Sequence, residues 1–306
     1  MKKLNKKIIK AFILLILLLL AVYYIADNVS SFKKLTLVSP GLIIYLVLLF
    51  TVSYICVAIY IRSLLKPFRI VIGAGESFML AIVTGFYNLI TPFRGGMVVR
   101  AAYLKKKYQL SYTDFLATLA GMYVIIFLIS GLLGLFSSLF IFKRTGEYNF
   151  FIIGIFSTIV LMMILVIIFS GYFPSLKGRW RGKLSRVFQG WNLIKSNSGV
   201  FFFVALFSLI QLLLMALMLS LQFKVFGVEV GFAGALILSS LANLSLLISI
   251  TPANLGVNEA VIVFSATTLG LSPAVSLASA LLGRAVQIIV LFTLGPVFSY
   301  KLIKEK

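Results

Sequence analysis

Six uninterrupted apolar stretches, each long enough to cross a hydrocarbon layer about 30 Å thick, leave this sequence few folds to choose from. They run from about Ile8 to Ala26, Pro40 to Ile61, Phe115 to Phe142, Phe150 to Phe173, Val200 to Phe223 and Ala274 to Tyr300. Inside a bilayer no water satisfies the backbone amides, so such stretches fold as α-helices. The expected class is an all-α polytopic membrane protein with about six full spans, a single integral membrane domain over residues 1–306. Composition agrees, because only 11% of residues are charged where a soluble domain carries about 25%.

The first stretch follows Lys2, Lys3, Lys6, Lys7 and Lys10, as in a secretory signal. It reaches spanning length without a small-x-small cleavage site after it, which predicts an uncleaved first span.

What is missing restricts the chemistry. There is no histidine and one cysteine, Cys56, which excludes a disulfide, a Cys/His zinc site and a Ser-His-Asp relay. The seven acidic residues, Asp27, Glu76, Asp114, Glu147, Glu229, Glu259 and Glu305, are scattered, unlike a paired-carboxylate hydrolase or a hard-metal site. No P-loop spacing precedes a Lys-Ser/Thr pair. The expectation is a non-enzyme without cofactor or metal; an intramembrane transferase would have to work with Glu259 and Asp114, a poor pair.

Two further apolar regions are interrupted. Ser77 to Pro92 is short and ends in Thr-Pro, and Phe232 to Leu271 is split by the polar piece from Thr251 to Asn258. Backbone broken at membrane depth survives only when buried in protein or lining a wet cavity. If each region enters and leaves on one side as a re-entrant hairpin, 22 of the 28 basic residues fall in cytoplasmic segments, as the positive-inside rule requires. If Ser77 to Pro92 simply crossed, the Arg94–Lys107 cluster would face outward, so the hairpin reading is preferred.

The breaks also match one another. Ile90-Thr91-Pro92-Phe93-Arg94-Gly95-Gly96 and Ile250-Thr251-Pro252-Ala253-Asn254-Leu255-Gly256 both spell I-T-P-x-x-x-G, 160 residues apart. One hairpin then enters from each side, the arrangement of inverted-topology repeats, here with halves 1–145 and 146–306. The alternative is two unrelated Thr-Pro kinks. In the loop 174–199, Leu176, Trp180, Leu184, Phe188 and Trp191 recur opposite Lys177, Arg181 and Lys183, which suits an interfacial helix on anionic headgroups and equally a plain positive-inside loop with aromatic anchors. Gly178, Gly182 and Gly190 weigh against a helix there.

Charged groups at membrane depth mark pathways or buried pairs, since each costs about 2.5–3.5 kcal/mol or more at the bilayer centre. Four qualify: Arg94 and Arg100, suited as forked donors to a phosphate, and Glu259 and Arg284. Arg94 and Arg100 also read as ordinary cytoplasmic charges, and Glu259 with Arg284 as a buried ion pair. Asn88, Asn254 and Asn258 thicken the same places with amides, helped by Asn243 and Gln287. Pro92 and Pro252 make the breaks, Gly96 and Gly256 permit close backbone approach, and the new helix starts would point N–H groups at an anion.

At these residues the chain resembles the flippase-like transmembrane domain of lysylphosphatidylglycerol synthases, which also occurs as stand-alone proteins and beside glycosyltransferases. Asn88, Pro92, Arg94, Gly96 and Arg100 match its first motif, and Pro252, Gly256 and Glu259 its second. Met97 stands where an acidic residue is expected, Asn254 where glycine is usual, and Asn258 where a basic residue is frequent. The resemblance implies movement of an aminoacylated phospholipid or a polyprenyl-linked sugar between leaflets. It implies no lipid synthesis, because the sequence stops at Lys306 directly after the last span. Membrane lipids are the expected partners, in a cell membrane with both termini cytoplasmic. A glycosyltransferase or synthase partner and self-association are compatible with it, and a scaffold for such an enzyme is a rival function. The net charge of +21 follows positive-inside placement rather than a nucleic-acid face.

Overall fold

The computed structural model describes residues 37–146, 149–170 and 181–304. The expected first span, and Leu176, Lys177, Gly178 and Trp180 of the 174–199 loop, lie outside the described residues. Among the described residues every regular element is helical: α1 (Leu42–Leu65), α2 (Ala74–Ile90), α3 (Gly95–Tyr108), α4 (Tyr112–Thr145), α5 (Phe150–Phe169), α6 (Arg181–Ser196), α7 (Ser198–Val225), α8 (Phe232–Leu244), α9 (Val257–Thr267) and α10 (Pro273–Lys304). Helices α1, α4, α5, α7 and α10 are long and apolar enough to span a bilayer, whereas α2 and α8 are shorter apolar helices. The chain is a multi-pass membrane protein.

Helix α1 illustrates how its sequence meets two solvents. Leu46, Ser53, Cys56, Tyr60 and Leu64 recur at helical spacing and are buried, while Ile44, Leu48, Val52 and Ile55 form an exposed apolar stripe. The polar members of the set thus face the bundle and the aliphatic ones face outward, as a lipid solvent demands.

The interrupted regions are hairpins. Glu76, in the first turn of α2, accepts hydrogen bonds from the hydroxyls of Tyr103 at 2.7 Å and Tyr108 at 2.8 Å. Its carboxylate also pairs with Lys107 at 3.1 Å. All three partners lie at the end of α3, so the α2–α3 segment leaves where it entered. In the second hairpin a Cβ on Gly234, near the start of α8, would lie 3.6 Å from Leu269, just after α9.

The mouths open at opposite ends of the bundle. Phe78 of α2 meets Phe298 near the end of α10, and Phe68, just after α1, meets α6 at Gly190. These contacts set the first mouth among the end of α1 and the end of α10. At the other end the Val38 amide donates to the Val225 carbonyl, and Phe151 at the start of α5 meets Phe264 of α9. The tips converge between these ends: Pro92–Arg94 and Pro252–Asn254 approach one another within 8 Å between Cα atoms.

The 174–199 region is helical where described, despite its glycines. Trp191 and Ile194 of α6 are buried against α4 instead of resting on headgroups. Gly190 is a packing requirement, since a Cβ there would lie 2.6 Å from the Ala117 methyl; one on Gly121 would lie 3.1 Å from the Trp191 ring.

Candidate functional site

Both breaks follow the same backbone path. Thr91 and Thr251 are extended, with φ of −122° and −86°, and each precedes a proline that starts one turn of 3-10 helix. The next two residues are left-handed in both cases: Phe93 and Arg94 at φ 55°, Ala253 at φ 47° and Asn254 at φ 60°. The left-handed region costs a residue with a side chain about 1–2 kcal/mol. Four such residues at two meeting tips are held by their surroundings.

Each tip is held in its own way. In the first, a Cβ on Gly96 would fall 1.9 Å from the Thr84 carbonyl oxygen, so glycine alone lets α3 lie this close to α2. In the second, Gly256 at φ 82° turns the chain into α9, and its N–H donates to Glu259 Oε2 at 2.7 Å. Arg284 of α10 then donates Nε and Nη2 to Glu259 Oε1 at 3.0 and 2.6 Å. Its Nη1 donates at 2.9 Å both to the Ala253 carbonyl and to Gln287 Oε1.

Glu259 and Arg284 therefore form a buried ion pair that staples the strained turn to α10. The ion-pair reading of Glu259 and Arg284 is thus the one observed, while the expectation that the new helix starts point N–H groups at an anion is corrected for α9, whose N-terminus is filled by its own carboxylate.

Around the meeting tips lies a cavity of about 310 Å³, at the lower end of ordinary small-molecule sites, which run from about 300 to 1,000 Å³. Asn88, Arg94, Arg100, Asn254, Asn258, Glu259 and Arg284 all line it. Gly96 and Gly256 do not; they shape the tips. Arg94 donates from Nη1 to the Tyr123 hydroxyl, with its guanidinium 5.2 Å from the ring centre. Arg100 is 4% exposed and rests 5.4 Å from the Phe115 ring centre. It is no cytoplasmic surface charge, because α3 folds back beneath the first tip. Neither guanidinium meets a carboxylate among the described residues.

The carbonyl oxygens of Asn88 and Asn254 are buried without a partner. Through its nitrogen, Asn254 donates to the Ser245 hydroxyl at 2.7 Å. Asn243, also on the wall, donates to the Ser130 hydroxyl at 3.2 Å.

Sequence reasoning missed Tyr54, Tyr60, Tyr123, Gln211 and Gln222, which complete the polar wall. The available signal was that each is a polar group inside an apolar span. Gly85 makes room for one of them: a Cβ there would sit 2.2 Å from the Tyr54 hydroxyl. Asp114 is remote in role, bonded to its own helix cap at Ser111 Oγ.

Comparison with curated proteins and with solved structures gives no match. The family model described as the lysylphosphatidylglycerol synthase TM region matches residues 7–295. With that match covering nearly the whole sequence, and with paired breaks, arginines and buried acid where the motifs placed them, the chain belongs to the lysylphosphatidylglycerol synthase transmembrane-region family.

Proposed function

We propose that this protein is a lipid translocator that carries a phosphate-bearing headgroup between leaflets through the cavity where the two hairpin tips meet. Arg94 and Arg100 carry the reading: two guanidinia line one cavity without a carboxylate partner among the described residues. A buried charge without a counter-ion is costly, and a phosphate diester arriving in the cavity would supply one through charge-assisted hydrogen bonds.

Unaided, the headgroup faces a barrier nominally of tens of kcal/mol on leaving water for hydrocarbon. A cavity lined by guanidinium, amide and phenol groups lowers it while the acyl chains stay in lipid. Arg62, Lys66, Arg69, Lys105, Lys106, Lys107, Lys195, Lys301 and Lys304 gather at the first mouth, against Lys143, Arg144 and Lys224 at the other end. The positive-inside tendency then makes the first mouth cytoplasmic, with Arg94 and Arg100 met first from that side. The shared backbone of the breaks favours two inverted halves, 1–145 and 146–306.

A scaffold would need no cavity, and a transferase would need a free base where Glu259 is bound to Arg284. The test is a leaflet assay in proteoliposomes with fluorescent phospholipid and external dithionite. Arg94→Ala and Arg100→Ala should each slow translocation at least about tenfold, the loss of about 1.4 kcal/mol or more of headgroup binding. Variants that translocate as fast as wild type would remove the proposal.

A further inference from the structure

The charge of the cavity wall selects among phosphate-bearing headgroups. Among the described residues four charged side chains line it: Arg94, Arg100, Glu259 and Arg284. Glu259 and Arg284 neutralise one another at 2.6 Å, which leaves two positive charges. The other described acids are engaged elsewhere. Glu76 pairs with Lys107 at the hairpin mouth, Asp114 accepts from Ser111, and Glu229 pairs with Lys224.

The remaining wall groups suit hydroxyls. Asn88 and Asn254 bring amides to the wall, and Tyr54 and Tyr60 add phenols. An amide oxygen accepts from a hydroxyl or from an ammonium, so hydrogen bonding alone does not choose between them. Coulomb energy does: the phosphodiester offsets one of the two guanidinia, and an ammonium on the same headgroup would add a further positive charge beside the one that remains.

We infer, resting on the translocation reading above, that the cargo is a lipid with an anionic phosphodiester headgroup ending in hydroxyls, of the glycerol or sugar type, and that ammonium-bearing aminoacyl headgroups are selected against. Met97 is the position at which this selection is set. It lines the cavity between Arg94 of the tip and Arg100, and lies one turn before Arg100 on the helix that continues from that tip. A carboxylate there would offset one guanidinium and give an ammonium a partner.

The experiment compares acyl-labelled phosphatidylglycerol with acyl-labelled lysylphosphatidylglycerol in the same proteoliposome assay. Wild type is expected to move phosphatidylglycerol at least about tenfold faster, the effect of like-charge repulsion in a shielded site. Met97→Asp should bring the two rates together, while Met97→Gln, polar but uncharged, keeps the wild-type preference. Equal rates for the two lipids in wild type would overturn the inference and leave translocation standing. Rates no higher than in empty liposomes for both would instead overturn the translocation reading.

Lipid retention on the purified protein in micelles with equal amounts of both lipids judges selectivity without transport. Enrichment of phosphatidylglycerol supports the inference, and equal retention refutes it. Displacement of that lipid by glycerol phosphate alone would assign the site to a free phosphate and refute the lipid source.

Discussion

Glu259→Gln is expected to cost about 3–5 kcal/mol of stability, the usual range for breaking one partner of a buried ion pair. The structure explains why it falls there. Glu259 and Arg284 are 5% and 9% exposed, and Glu259 takes three hydrogen bonds, from Gly256 and twice from Arg284. Glutamine can keep some of them but leaves the guanidinium without a counter-charge. The same guanidinium holds the carbonyl of Ala253, one of the tip's two left-handed residues, which cost about 1–2 kcal/mol each, so the turn loses its restraint as well.

At roughly 2–4 °C per kcal/mol for a chain of a few hundred residues, the midpoint should fall by about 6–20 °C. Cys56 supplies the readout, because it is the only cysteine and is buried in α1: a thiol-reactive dye labels it on unfolding. Arg284→Gln should cost a similar amount by stranding the carboxylate. The double variant strands no charge and should cost less than the sum of the two, with a coupling of about 1–3 kcal/mol. Single variants that melt within about 2 °C of wild type, less than 1 kcal/mol, or a double variant with additive losses, would refute the staple.

Three further substitutions probe the tips and the mouth by the same thermal assay. Gly96→Ala must push α3 from the Thr84 carbonyl, which a Cβ would meet at 1.9 Å; it should cost about 1–3 kcal/mol by overpacking and slow translocation with it. Ala253→Gly removes a side chain from a left-handed position and should raise the melting temperature, by about 0.5–1 kcal/mol after the entropy of glycine is deducted. Glu76→Gln weakens the bonds from Tyr103, Tyr108 and Lys107 that close the first hairpin. A loss of about 1–2 kcal/mol is expected, and no change in melting would detach that cluster from hairpin stability.

The spans were legible because a bilayer imposes a length and allows one secondary structure. The hairpins were legible because Pro92 and Pro252 break apolar runs and because the distribution of basic residues favours segments that enter and leave on one side. Side-chain direction was not. Arg100 reads equally well as a cytoplasmic charge until α3 is seen to fold under the tip, which buries it. Tyr54, Gln211 and Gln222 carry no signal of the face they occupy, since hydrophobic periodicity fades when both faces of a helix are apolar. Gly190 and Gly121 count against helices in propensity terms, yet here they let α6 approach α4; close packing outweighs a cost of about 1 kcal/mol each.

The paired breaks separate what the motif fixes from what it leaves free. Threonine, proline and the following two left-handed residues set the same path twice, and that path aims the second left-handed residue into the shared cavity, where Arg94 and Asn254 both appear. One tip therefore contributes a cation and the other an amide. The second tip can be neutral because Arg284 and Glu259 cancel beside it, whereas no carboxylate among the described residues pairs with Arg94 of the first tip. Two tips of the same backbone path thus frame a polarised cavity, with excess positive charge on the first hairpin. Transferring a neutral residue to position 94 or a cation to position 254 should alter the charge of the cavity without altering its backbone. An Arg94→Asn, Asn254→Arg exchange that preserved phosphatidylglycerol transport would mean that total charge governs the site, while loss of transport with retained melting temperature would mean that its location does.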